Sequence, residues 1–133
     1  MTNISPTSIG KETPVATERT NEIPETKATE PPKVMEVRLH GRGGQGGVTC
    51  AKILAAVHAR LGSSVQTFGD YAGERSGAPV RAFTRVSDGP IVNRNKVYEP
   101  DHLLVLDSTL LGDDVIAGLA RGGTLVIDRK SVV

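Results

Sequence analysis

The chain has 133 residues, enough for one modest domain. Sixteen Lys and Arg against fifteen Asp and Glu leave a net charge of +1, which argues against nucleic acid or an anionic membrane as partner. Two Phe, two Tyr and no Trp give no platform for stacking on bases, and one cysteine, Cys50, holds neither an iron–sulfur cluster, a tetrahedral zinc nor an internal disulfide.

Residues 1–33 are rich in Thr, Pro and Glu, with Pro6, Pro14, Pro24, Pro31 and Pro32 spread along them and no sustained apolar period. Such a segment buries too little apolar surface to offset the entropy of ordering, so it is predicted to be a disordered tail. Its five glutamates argue against a transit peptide, and it lacks the apolar core of a signal peptide. No apolar run approaches the length of a membrane span, so a cytoplasmic protein is expected.

Residues 35–40 alternate apolar and polar and predict a strand. The glycine-rich run Gly41, Arg42, Gly43, Gly44, Gln45, Gly46, Gly47 follows, and residues 48–61 predict a helix with Val48, Ala51, Ile53, Leu54, Val57 and Leu61 inward and Gly62 as its stop. Residues 64–68 predict a second strand, and 69–79 carry too many breakers for either element. Residues 80–86 predict a strand with a solvated face carrying Arg81 and Arg85. Asp88-Gly89-Pro90 signals a turn, with residues 91–95 returning as the second arm of a hairpin, so part of the sheet is antiparallel. The apolar run 103–107 predicts a buried central strand, 113–120 a short helix, and 124–127 another buried strand. The fold class is α/β: a mixed, mostly parallel sheet with helices on both faces and one β-hairpin, preceded by the tail. The chain stops at Val133 just past the last strand, so the domain at 34–133 is expected to be truncated at its C-terminus.

The loop between the first strand and helix forms a site. Glycines there permit a sharp turn and close approach, and the helix start directs N–H groups and partial positive charge into it. Gly41-x-Gly43-x-x-Gly46 matches a dinucleotide fingerprint, with Asp70 as the acid after the second strand, but the extra glycines and the hairpin argue against that reading. A Walker-type phosphate loop fails, because no Lys directly follows the glycine run, which is succeeded by Val48 and Thr49. The second cluster is Glu74, Arg75, Ser76 and Gly77, on a loop at the same carboxyl edge, so Arg42 and Arg75 are expected to face one anionic group from two sides. A plain surface loop is the competing reading there. His40 and Cys50 read as structural. No residue is assigned a catalytic role, and none a metal.

Three stretches together carry a resemblance: His40-Gly-Arg-Gly-Gly-Gln-Gly-Gly-Val-Thr49, Gly73-Glu-Arg-Ser-Gly-Ala-Pro-Val-Arg-Ala-Phe-Thr-Arg85 and Tyr98-Glu-Pro-Asp101. In order and spacing they resemble the gamma subunit of pyruvate:ferredoxin oxidoreductase, within the 2-oxoacid:acceptor oxidoreductases. The resemblance implies a non-catalytic-centre subunit of an enzyme complex. In that family thiamine diphosphate attacks the 2-oxoacid, electrons pass through iron–sulfur (4Fe-4S) clusters to ferredoxin, and coenzyme A takes the acyl group. It implies alpha, beta and delta components as partners, with none of the cofactors held by this chain alone. Carried over by position, Arg42, Gln45, Glu74 and Arg75, with Ser76, Gly77 and the loop glycines, are expected at a coenzyme A or subunit-facing edge. Pyruvate is the expected substrate. A component for 2-oxoglutarate, branched-chain or indolepyruvate substrates and a stand-alone dinucleotide-binding module are the alternatives.

Overall fold

The computed structural model describes residues 30–73 and 76–129, so most of the expected tail, and the site candidates Glu74 and Arg75, lie outside the described residues. Five strands, β1 (Val34–Arg42), β2 (Ser64–Tyr71), β3 (Pro79–Ser87), β4 (His102–Val105) and β5 (Thr124–Ile127), form one sheet in the order β2-β3-β1-β4-β5. Strand β1 is central, antiparallel to β3 and parallel to β4. Strand β2 runs antiparallel to β3, and β5 parallel to β4. The α/β class and the mixed sheet are as expected, but parallel pairings do not predominate.

The hairpin is not where the turn signal placed it. Residues 91–95 form no strand; β3 instead turns back on β2 through the loop 72–78. The ladder continues to the pair Tyr71 and Val80, which extends β2 past Phe68 into residues read as loop. Residues 88–100 form an irregular strap against one sheet face, anchored by buried Val97 and Pro100.

Successive strand residues point to opposite faces, and on β1 the two faces differ in chemistry. Val37 and Leu39 pack with Ala82 and with Ala51 of helix α1 (Gly47–Arg60). Small Ala51 and Ala55 let the helix approach closely, and the buried Thr84 hydroxyl donates to the Ala51 carbonyl at 3.1 Å. Ile53, Val57 and Leu61, expected inward, are exposed. At 100° per residue Ile53 lies on the far side of the helix from Ala51, and the alanine face wins because it packs closest.

On the other face stand Arg38 and His40, beside Leu103 and Val105 of β4 and under the one-turn helix α2 (Asp113–Ile116), whose Val115 is buried. The Arg38 guanidinium, 7 % exposed, donates to the carbonyls of Val97, Tyr98, Val115 and Ala117. Arg85, 1 % exposed rather than solvated as expected, pairs with Glu36 and donates to Gln66 and to the Asn93 and Lys96 carbonyls. Beside it Phe68 and Phe83 stack with ring centroids 4.9 Å apart.

Helix α2 ends well before residue 120. Gly118 has φ +80°, and a Cβ there would stand 2.0 Å from the Tyr98 carbonyl oxygen, so the chain leaves the helix where it meets the strap. Strand β5, expected to be buried, is exposed along its whole length because it is the edge of the described sheet. No described helix is long and apolar enough to cross a membrane.

Two predictions follow from this packing. Gly118→Ala combines a strained φ with a backbone clash and is expected to destabilise the fold by roughly 3 kcal/mol or more, read from the denaturant midpoint. His40 is buried with Arg38 and Arg81 nearby, and burial first, then those charges, push its pKa down to about 4. The unfolded chain binds its proton near pH 6.5 and the folded chain near 4, so stability falls as pH drops through that window and levels below it. The loss expected is on the order of 2 kcal/mol after allowing for solvent screening, and His40→Asn should flatten the slope of stability against pH.

Candidate functional site

The carboxyl ends of β1, β2 and β4 point the same way, because β2 is antiparallel to β3 and β3 to β1. The loops leaving those three strands therefore share one edge of the sheet, where α/β folds bind ligands. They carry, in turn, the glycine run, residues 72–78, and residues 106–109.

Arg42 is the last residue of β1 and the hub of this edge. Its Nε donates to Asp107 Oδ2 at 3.1 Å, one terminal nitrogen to the Gly77 carbonyl at 3.2 Å, and the other to Thr109 Oγ1 at 3.2 Å. Gln45 folds back over the turn: its Oε1 accepts from the Arg42 amide at 2.7 Å while its Nε2 donates to Asp107 Oδ2 at 2.9 Å. The Gly43 amide donates to the Ala78 carbonyl at 2.9 Å, closing the glycine loop onto the β2–β3 loop. Asp107 caps the single 3-10 turn Ser108–Leu110, its Oδ1 accepting from the Thr109 amide at 3.0 Å and the Thr109 hydroxyl at 2.6 Å. Hydrogen bonds from the Thr109 side chain and from Gln45, then the Thr109 amide and the charge of Arg42, hold the Asp107 carboxyl well below the usual carboxylate range. The edge thus keeps its anion across all ordinary pH.

An open groove of about 280 Å³ lies against this clamp, floored by Gly41, Gly43, Gly44, Gly46 and Gly47, with Thr49, Tyr71 and Val80 at its sides. Helix α1 starts at the groove with no side-chain cap and no acid in its first turn. Its first N–H groups and the positive end of its dipole are the kind of feature that suits an anion or a carbonyl oxygen. Gly46, at φ +86°, makes the left-handed turn into the helix. Gly41 leaves room for Gln45 instead, since a Cβ there would stand 3.3 Å from Gln45 Oε1.

Arg42, Gln45 and Gly77 are brought together as a bonded set, and all the glycines of the run lie at the groove or its rim. Ser76 is exposed on the adjoining loop, and Glu74 and Arg75 lie outside the described residues. Arg42 lines the groove, and each of its three guanidinium nitrogens donates one bond within the protein, so it also ties the loops together. Asp70 is not placed as a dinucleotide acid. It sits on β2, separated from β1 by β3, and binds Arg81 at 2.6 Å and Lys96 at 2.9 Å. Cys50 packs against the α1-side core.

Sequence reasoning missed Asp107, Thr109 and Tyr71. The signal for the first two was present: an Asp followed two residues later by Thr, just past an apolar strand, is a capping pattern.

Residues 36–132 match the pyruvate ferredoxin/flavodoxin oxidoreductase family. Over 98 residues the chain is 50 % identical to the pyruvate/ketoisovalerate oxidoreductases common subunit gamma of Thermococcus kodakarensis, covering 73 % of this chain and 53 % of that one. It is 46 % identical over 98 residues to the pyruvate synthase subunit PorC of Methanothermobacter thermautotrophicus, covering 73 % and 54 %. The crystal structure of the pyruvate oxidoreductase subunit PORC of Thermotoga maritima superposes with a TM-score of 0.65 at 39 % identity, covering 73 % of this chain and 51 % of that one. The chain spans about half the length of these relatives. The glycine loop, the hairpin and the Asp107 turn all fall inside the matched residues, and the chain belongs to the pyruvate ferredoxin/flavodoxin oxidoreductase family.

Proposed function

We propose that this chain is the gamma component of a cytoplasmic 2-oxoacid:ferredoxin oxidoreductase acting on pyruvate, and that its glycine-loop edge faces coenzyme A and the neighbouring subunits. The enzyme class decarboxylates the 2-oxoacid oxidatively, passes the electrons to ferredoxin and transfers the acyl group to the coenzyme A thiol. The observation that carries the reading is the convergence of three loops on the Arg42–Asp107 pair beside an open groove, all within the family match. The names of the relatives, gamma subunits and PorC of pyruvate enzymes, support the pyruvate assignment.

This chain's residues do not fit the redox cofactors of such a complex. Cys50 is one thiol, and no group of three His, Cys, Asp or Glu side chains gathers among the described residues. Thiamine diphosphate and the iron–sulfur clusters are assigned to the alpha, beta and delta components. What the chain offers is a rigid edge: backbone N–H groups at the start of α1 to meet a phosphate or a carbonyl, and a glycine floor that lets it come close.

Two experiments test the reading. Anaerobic affinity capture of the tagged chain from its native cells should recover thiamine-diphosphate and iron–sulfur subunits, and the eluate should oxidise pyruvate only with coenzyme A present. Recovery of the chain alone, or tight NAD binding by it, would overturn the assignment, and preference for another 2-oxoacid would move the substrate. Second, a Cβ at Gly46 meets nothing within 4 Å in the chain itself, so Gly46→Ala is expected to cost only about 1–2 kcal/mol in folding. Its methyl group projects into the groove, so the variant should stay folded by circular dichroism and yet show weakened subunit capture or a raised KM for coenzyme A.

A further inference from the structure

The floor of the groove is glycine, with no side chains to interlock, and its one charged lining residue is Arg42. Arg42 and Gln45 both end on the same carboxylate oxygen of Asp107, which itself does not line the groove. The other oxygen takes both donors of Thr109, and the Thr109 hydroxyl, having given its proton to Asp107, accepts from Arg42. One carboxylate therefore accepts four donors from three residues and fixes the glycine loop and, through Arg42, the Gly77 carbonyl of the β2–β3 loop.

We infer that Asp107 is the positioning residue of the glycine loop, setting the groove for coenzyme A from behind Arg42 without touching the ligand. This rests on the reading given under Proposed function. The chemistry of the contact makes asparagine a poor replacement. An amide in the same place keeps one acceptor for Thr109 but turns an NH₂ toward the Arg42 and Gln45 donors. Gln45 relieves the clash only by rotating its own amide, which surrenders the bond to the Arg42 backbone. Lysine at position 42 keeps the charge and loses the fork that reaches Asp107, Thr109 and Gly77 together.

The test uses the complete oxidoreductase assembled with the wild-type chain, Asp107→Asn, Asp107→Ala, Arg42→Ala and the double variant Arg42→Ala/Asp107→Ala. Loss of a charge-assisted bond that orders a binding loop is expected to raise KM for coenzyme A roughly tenfold, with KM for the 2-oxoacid and kcat within about twofold of wild type. The double variant should be no worse than the poorer single one, because both changes break the same clamp. Thr109→Ser, which keeps the hydroxyl, should behave as wild type. In parallel, amide hydrogen exchange on the isolated full chain should speed up at residues 43–47 and 76–78 in Asp107→Asn, and not in the sheet. An unchanged KM for coenzyme A, additive losses in the double variant, or unchanged exchange in those loops would each overturn the inference. Failure of the wild-type chain to enter a complex would instead remove the functional reading, and the exchange experiment would still decide whether Asp107 holds the loop.

Discussion

A buried guanidinium with no carboxylate bonded to it among the described residues sets the terms for half of this fold. Arg38 sits on the central strand, and a cation taken out of water at that depth must be matched by fixed dipoles. Four backbone carbonyls supply them, two from the strap and two from the end of α2. Both segments are short of regular structure. The sheet thus has one face closed by apolar contact with α1 and the other closed by cation-to-carbonyl bonding together with the small apolar cluster of Leu103, Val105 and Val115. Burial lowers the Arg38 pKa, as does the charge of Arg81; both work against the charged form, and the carbonyl bonds oppose them.

The same device recurs at the functional edge with a different balance of charge. Arg42 is half-exposed and meets a carboxylate as well as a carbonyl and a hydroxyl. An exposed ion pair alone would add little to stability. Its value here is geometric, since a guanidinium fork fixes directions and a glycine loop has no side chains with which to fix its own. Order is thereby lent to a backbone that must stay bare to be approached.

Much of this was legible before any coordinates. Alternation in residues 35–40, the glycine run, the helix after it and the apolar run 103–106 each correspond to an observed element, because local periodicity and burial agree there. The errors share a cause. Residues 91–95 have strand-like composition, and Arg85 looks like solvent-facing punctuation, as exposed Arg81 is; which strand neighbours β3 is decided by the far-off β1, and nothing local reports it. The inward face of α1 was drawn too wide: Val48, Ala51 and Leu54 pack on the sheet as expected, but Ile53, Val57 and Leu61 are exposed, because close packing selects the side carrying Ala51 and Ala55. Asp107 escaped notice for a related reason: its partners Arg42 and Gln45 lie more than sixty positions away.

The strap carries one more consequence, for how freely this chain can vary. Arg38 and Arg85 grip it by the carbonyls of Asn93, Lys96, Val97 and Tyr98, and every residue type provides a carbonyl. Apart from buried Val97 and Pro100, and from Lys96, whose ammonium reaches Asp70 on β2 at 2.9 Å, the side chains of the strap take little part in its attachment. Its path is fixed while its spelling is open. That makes residues 91–95 a place where substitutions can accumulate, and where a surface can be rewritten for a different neighbour without disturbing the sheet beneath.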